Sequence, residues 1–111
     1  MNLGQQWVVQ ALNHIVEQEL AALPPDIRAR FARFTQVIRE DGLHALPFGW
    51  VKPLGDKLWE LRLTGRDGIA RAIYIAASGR RVVIVRAFIK KTEKTPKREL
   101  DLARERAKEV T

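Results

Sequence analysis

Arg86-Ala87-Phe88-Ile89-Lys90-Lys91-Thr92-Glu93-Lys94-Thr95-Pro96 carries an apolar strand out into a cluster of cations and then, within a few residues, into the start of a helix. Val82-Val83-Ile84-Val85 just before it has the β-branched run of a buried strand. Thr95-Pro96 at its end reads as a cap followed by a first helical residue, because proline lacks only an N–H that would be unpaired there anyway. A strand end beside a helix start lets long side chains leave the core while rigid backbone still holds them.

Working back from this stretch, Ser78-Gly79 marks a turn and Ala70-Arg71-Ala72-Ile73-Tyr74-Ile75 the strand before it. Gly65-Arg66-Asp67-Gly68 marks the next turn, and Leu58-Trp59-Glu60-Leu61-Arg62-Leu63-Thr64 alternates strictly. Trp59, Leu61 and Leu63 face one way; Leu58, Glu60, Arg62 and Thr64 face the other. Three strands with tight turns predict an antiparallel meander. Gly42 to Gly55, rich in proline and glycine, reads as an irregular crossing between layers. Before it, Ile27, Phe31, Phe34 and Ile38 form a helical stripe, with Arg28, Arg33, Arg39 and Glu40 directed elsewhere. Pro25 suits the first turn of that helix, Asp26 the positive end of its dipole, and Gly42 its terminator. Leu12, Ile15, Val16, Leu20 and Leu23 make an earlier helix that Pro24-Pro25 must end. Trp7 to Leu12 is compatible with a short first strand. At the other end, Leu100, Ala103, Ala107 and Val110 give the last helix a thin apolar stripe among mixed charges, so weak docking is expected. The fold class that follows is α+β: an N-terminal helical hairpin on a small twisted antiparallel sheet, plus a basic C-terminal helix.

At 111 residues the chain is expected to form one domain, residues 1–111. It has no cysteine, which excludes disulfides and thiolate metal sites. No apolar run approaches the roughly 18 residues of a membrane span, and the N-terminus lacks the pattern of a signal peptide, so a cytoplasmic protein is expected. The formal net charge is +7, and its placement is lopsided. Met1 to Gly79 holds nine Lys/Arg against eight Asp/Glu, and Arg80 to Thr111 eleven against five, so the last third carries nearly all of the excess. That distribution suggests a polyanionic partner, nucleic acid before membrane, with an acidic protein as the alternative.

Several chemistries lack their residues. His14 and His44 have no partner at metal-ligand spacing, so no metal is expected. Ser78 is the only serine and lies in a turn, and no phosphate-cradling glycine motif occurs. What remains is arginine and lysine on a sheet. Arg62 and Arg71 lie on paired strands, and Lys90-Lys91 ends the next one. A guanidinium grips phosphate oxygens bidentately, and a lysine among arginines has its pKa lowered, which would let it exchange protons. Arg71 shares parity with Ile73 and Ile75, so its face is left open. Glu60, two residues from Arg62 on the same face, offers that arginine a salt bridge.

The order of these blocks resembles a known family. Leu58-Trp59-Glu60-Leu61-Arg62, Arg71 followed by Tyr74, Ala87-Phe88-Ile89-Lys90-Lys91-Thr92 and then Thr95-Pro96 look like the phage-derived HigB-type branch of the RelE/ParE toxin superfamily. The likeness covers about residues 20 to 110 and departs from the pattern at Ala70, where relatives tend to carry an aromatic residue. It implies a toxin of a type II toxin–antitoxin pair, neutralised by a cognate antitoxin, often of helix-turn-helix type. HigB-type members are typically ribosome-dependent mRNA interferases that use no metal or cofactor. Carried over by motif, Arg62, Arg71, Lys90 and Lys91 are the implied catalytic residues, with Lys52, Lys57 and Lys94 as weaker candidates for contacts to the RNA backbone. The superfamily also includes ParE-type gyrase poisons that cleave nothing, and a basic binding module without catalysis is a third possibility.

Overall fold

The computed structural model describes residues 6–91 and 94–111. Along the chain run β1 (Val8–Ala11), α1 (His14–Ala21), α2 (Pro25–Asp41), β2 (Val51–Gly55), β3 (Leu58–Thr64), β4 (Ile69–Ala77), β5 (Arg81–Lys90) and α3 (Lys97–Ala107). The class is α+β, as the sequence predicts. The five strands form one sheet in the order β1-β5-β4-β3-β2.

The meander of β3, β4 and β5 is antiparallel as expected, and each end of it gains a strand. β1 joins the β5 edge in parallel, with Val8 opposite Arg81 and Ala11 opposite Ile84. β2 pairs antiparallel with β3, where the sequence suggests an irregular crossing. Pro53 and Gly55 weaken its strand signal, but an edge strand tolerates a proline whose missing N–H faces no neighbour. Its two-residue turn to β3, Asp56-Lys57, has positive φ at both residues (54° and 66°), the twist that closes a tight hairpin.

Helix entry and exit follow the local chemistry. Asn13 caps α1 by accepting the Val16 N–H at 3.1 Å. Pro25 opens α2, Asp26 accepts backbone N–H groups from Ile27 and Arg66, and Gly42 ends the helix at φ 92°. The Arg66 bond ties the Gly65–Gly68 turn to the start of α2, and a Cβ on Gly65 would fall 2.6 Å from Ile27. At α3 the cap differs from expectation. Pro96, not Thr95, is the N-cap residue, and the Thr95 hydroxyl is drawn off to the Glu60 carboxylate. A buried carboxylate is a stronger acceptor than a water-exposed helix end is a donor.

Each face of the sheet has its own core. Leu61, Leu63, Ala70, Ala72, Tyr74, Val82, Ile84 and Ala87 pack beneath the helical hairpin against Val16, Ile27, Phe34 and Ile38. The phenylalanines serve as packing: Phe34 sits 5.9 Å from Phe31 and 5.6 Å from Tyr74, ring centre to ring centre. Burial pushes the Tyr74 phenol up to about 12. Ile15, expected on the apolar stripe of α1, instead turns outward and is 55% exposed. On the opposite face Leu58, Ile73, Val83, Val85 and Phe88 are roofed by Ala103 of α3. That helix docks more firmly than its thin stripe suggests, because ion pairs supplement it. Arg86 meets Glu19 at 2.8 Å and Glu99 at 2.9 Å, Arg106 meets Glu19 at 2.9 Å, and Arg104 meets Asp56 at 2.8 Å. Glu19 and Arg106 also bind the Ala87 N–H and the Val85 carbonyl, covering part of the β5 edge that β1 is too short to reach. No helix among the described residues is long and apolar enough to cross a membrane.

Candidate active site

Strand register decides which of the sequence-flagged cations meet. Arg62 and Arg71 are direct cross-strand partners, so they share a face with Glu60, which lies opposite Ile73 and Lys52. Arg71 therefore takes the face of Ile73, at the point where the apolar roof under α3 gives way to charge. Lys90 reaches the same face through an irregularity in β5. Ile73 pairs with Arg86 but Tyr74 pairs with Ile84, leaving Val85 as an extra residue. This bulge inverts the alternation beyond it. Phe88 thus faces Arg71, and Lys90, two residues on, stands diagonal to it. Strict alternation from Val83 would have put Ile89 there and sent Lys90 to the other side.

Arg62 projects into solvent, while Arg71 and Lys90 are each only 6% exposed and Glu60 1%. Glu60 holds this buried layer together. Its carboxylate lies 3.2 Å from Arg71 Nε and accepts the Thr95 hydroxyl on its other oxygen. The bridge expected between Glu60 and Arg62 is replaced by this one, because Arg71 is the cation buried beside the carboxylate. Arg71 also donates to the Ala70 carbonyl at 2.9 Å, yet its Nε–H is not aligned on any acceptor among the described residues.

The electrostatics are strained in one direction. Burial holds the Arg71 guanidinium below its ordinary value, with the neighbouring Arg62 charge acting the same way and Glu60 opposing both. Burial also lowers the Lys90 ammonium, and the charges of Arg71, Arg62 and Lys52 add to it against Glu60. The result is a site with one open arginine, one buried arginine and a lysine whose ammonium is easier to deprotonate than an ordinary one. A phosphodiester at Arg62 and Arg71 would meet the donors and positive field that stabilise a pentacoordinate dianion.

The remaining candidates separate. Lys91 is exposed one residue past β5, and Lys52 lies on β2 within electrostatic reach of Lys90. Lys94 is exposed just before Thr95, whereas Thr92 of the Phe-x-Lys-Lys-Thr signature lies outside the described residues. Lys57 sits in the β2–β3 turn at the far end of β3, five residues or roughly 17 Å along the strand from Arg62. It does not join the others. His14 is surface-exposed, and among the described residues no three His, Cys, Asp or Glu side chains form a metal-holding group.

Three further residues belong to this locality. A cleft of about 460 Å³ opens beside Arg62 and Arg71, between α2 and the edge of β3, and Arg30, Arg33 and Trp50 line it. The i, i+3 spacing of Arg30 and Arg33, which places both on one side of a helix, was the sequence signal for two of them. Trp50 arrives through backbone: its carbonyl accepts the Arg62 N–H at 2.8 Å.

Residues 18–108 match the family model described as Phage derived protein Gp49-like (DUF891), a family of the RelE/ParE-like toxin type. A search of curated proteins returned no match.

Proposed function

The chain belongs to the phage-derived Gp49-like family, and on that premise we propose that it is the toxin of a type II toxin–antitoxin pair. Its activity is metal-independent cleavage of mRNA on the ribosome, in the manner of HigB-type toxins. One observation carries the reading: Arg62, Arg71, Lys90 and Glu60, drawn from three strands, share one face of the sheet in a coupled charge cluster.

In the proposed reaction the 2′-hydroxyl attacks the adjacent phosphorus, the bond to the 5′ oxygen breaks, and a 2′,3′-cyclic phosphate and a 5′-hydroxyl remain. Arg62 and Arg71 neutralise the charge that builds on the non-bridging oxygens. Lys90, with its ammonium held low by burial and by Arg71, is disposed to take the 2′ proton. Lys91, exposed at the strand end, is available to return a proton to the leaving 5′ oxygen. Glu60 acts as the support of Arg71 rather than as a base, since Arg71 and Thr95 occupy both of its oxygens. Lys52 and Lys94 contribute contacts to the RNA backbone, and the ribosome presents the message in register. The cognate antitoxin, of helix-turn-helix type, neutralises the toxin in the cytoplasm.

The test is expression from a tight promoter with mapping of transcript 5′ ends during growth arrest. New 5′-hydroxyl ends are expected, absent in Arg62→Ala, Arg71→Ala and Lys90→Ala. Intact transcripts remove the nuclease reading, and intact transcripts with a DNA damage response replace it with gyrase poisoning.

A further inference from the structure

The cleft that Arg62 and Arg71 line on one side continues past them to groups that a reaction confined to one phosphate does not use. Arg30 and Arg33 project from α2 to its wall, Trp50 lines it from the strand side, and Phe34, Leu61 and Leu63 close its base. Nothing among the described residues neutralises it. Arg33 donates only to the uncharged Gln36 amide oxygen, at 3.1 Å, and neither Arg30 nor Arg62 has a carboxylate partner. The contrast with α3 is direct: Lys97, Arg104 and Arg106 there, and Lys108 just past its end, are engaged by acids. Arginines that line one cleft without an acid leave their donors and charge open to an anion.

We propose that this cleft is a second phosphate-binding subsite, which takes the nucleotide of a single-stranded RNA flanking the one held at Arg62 and Arg71. Arg30 and Arg33 grip its phosphate, and the half-buried Trp50 offers its base an aromatic surface. The volume suits one nucleotide rather than a duplex, and open walls fit a strand that passes through. This subsite extends the proposed ribonuclease reading, and it fixes strand direction across the sheet by giving the RNA two anchoring points instead of one.

The experiment separates the subsite from the chemistry. A fluorescein-labelled RNA octamer carrying 2′-O-methyl groups lacks the attacking hydroxyl, so its binding to the full chain is read by anisotropy without cleavage. Arg30→Gln/Arg33→Gln is expected to weaken binding about tenfold near 0.1 M salt. It should also flatten the plot of log K against log salt by roughly 0.7 for each phosphate no longer neutralised. Arg28→Gln/Arg39→Gln removes the same charge from other faces of α2 and should leave both quantities close to the parent. Trp50→Leu should weaken binding several-fold with no change in slope. Circular dichroism melts confirm that each variant is folded. Equal weakening by the two arginine pairs, or an unchanged slope in Arg30→Gln/Arg33→Gln, overturns the subsite. Absence of transcript cleavage in cells would remove the nuclease reading while leaving this binding result standing.

Discussion

Two sets of arginines flank the sheet, and they live under opposite electrostatic rules. On the β5 side, Arg86 is shared between Glu19 and Glu99 and Arg106 pairs with Glu19, both arginines partly buried. Burial pushes the Glu19 carboxyl up, but the Arg106 hydrogen bond, the Ala87 N–H and the Arg86 charge outweigh it and leave the group below its ordinary value. On the β3 side, Arg30, Arg33 and Arg62 line open space with no acid partner among the described residues, and the buried Arg71 behind them is paired with Glu60. The first set fastens α1 and α3 to the sheet. The second leaves its donors open and available to an anion. Net charge counted along the chain points to the C-terminal third, yet most of the cations of α3 are neutralised within the molecule. The electrostatic vacancy lies on α2 and β3.

Removing charge from each set should therefore have opposite consequences. Arg62→Ala is expected to lower transcript cleavage by about 100-fold or more, the scale of losing a donor to a developing oxyanion. Its stability should stay within about 0.5 kcal/mol of the parent, because Arg62 makes no ion pair among the described residues. A large fall in melting temperature with cleavage intact would reverse the assignment of the two sets. Glu19→Gln should do the converse, costing about 3 kcal/mol by leaving Arg86 and Arg106 under-compensated. That corresponds to a drop of roughly 15 °C in the melting temperature of a domain this size. The pH dependence has a definite sign. The Glu19 carboxyl titrates lower when folded than unfolded, so its stabilisation is present above the ordinary carboxylate range and disappears as pH falls through the folded value. The gap between parent and Glu19→Gln melts should close under acid.

Lys90 gives a finer comparison. Its ammonium is easier to deprotonate in the folded chain than in the unfolded one, so the folded state is penalised at neutral pH and relieved as pH rises toward the ordinary lysine value. Lys90→Met should raise stability by about 1 kcal/mol near pH 7, with the gain shrinking as the medium becomes alkaline. A destabilised Lys90→Met would mean that the ammonium is paired rather than strained. The last comparison concerns the vacancy itself. Pyrophosphate at about ten times its dissociation constant should stabilise the parent by roughly 1.4 kcal/mol, and Arg62→Ala by distinctly less. Equal shifts in both proteins would show that the anion binds elsewhere.

Much of the architecture was written in patterns that local physics enforces. Alternation in Leu58 to Thr64, the glycine turns and the Pro24-Pro25 break gave the meander and the two helices beneath it, since apolar periodicity and proline geometry act over a few residues. β2 was hidden because Pro53 and Gly55 suppress strand propensity, which an edge position forgives. Thr95 carried the sequence signature of a cap, but a buried carboxylate 35 positions away in the chain claimed its hydroxyl.

The sequence by itself determined which chemistry is open to this protein: cations on strands, no thiol, and no histidine at ligand spacing. It also placed Arg62 within a strand and Lys90 at the end of one, because residue identity and spacing need no partner to be read. Only the tertiary structure decided which cations meet. A single extra residue in β5, Val85, turns Lys90 toward Arg71 instead of away from it, and the β3–β4 register sets Arg71 against Arg62. Pairing across strands depends on register, and a shift of one residue exchanges the two faces of a sheet, which no local pattern can announce.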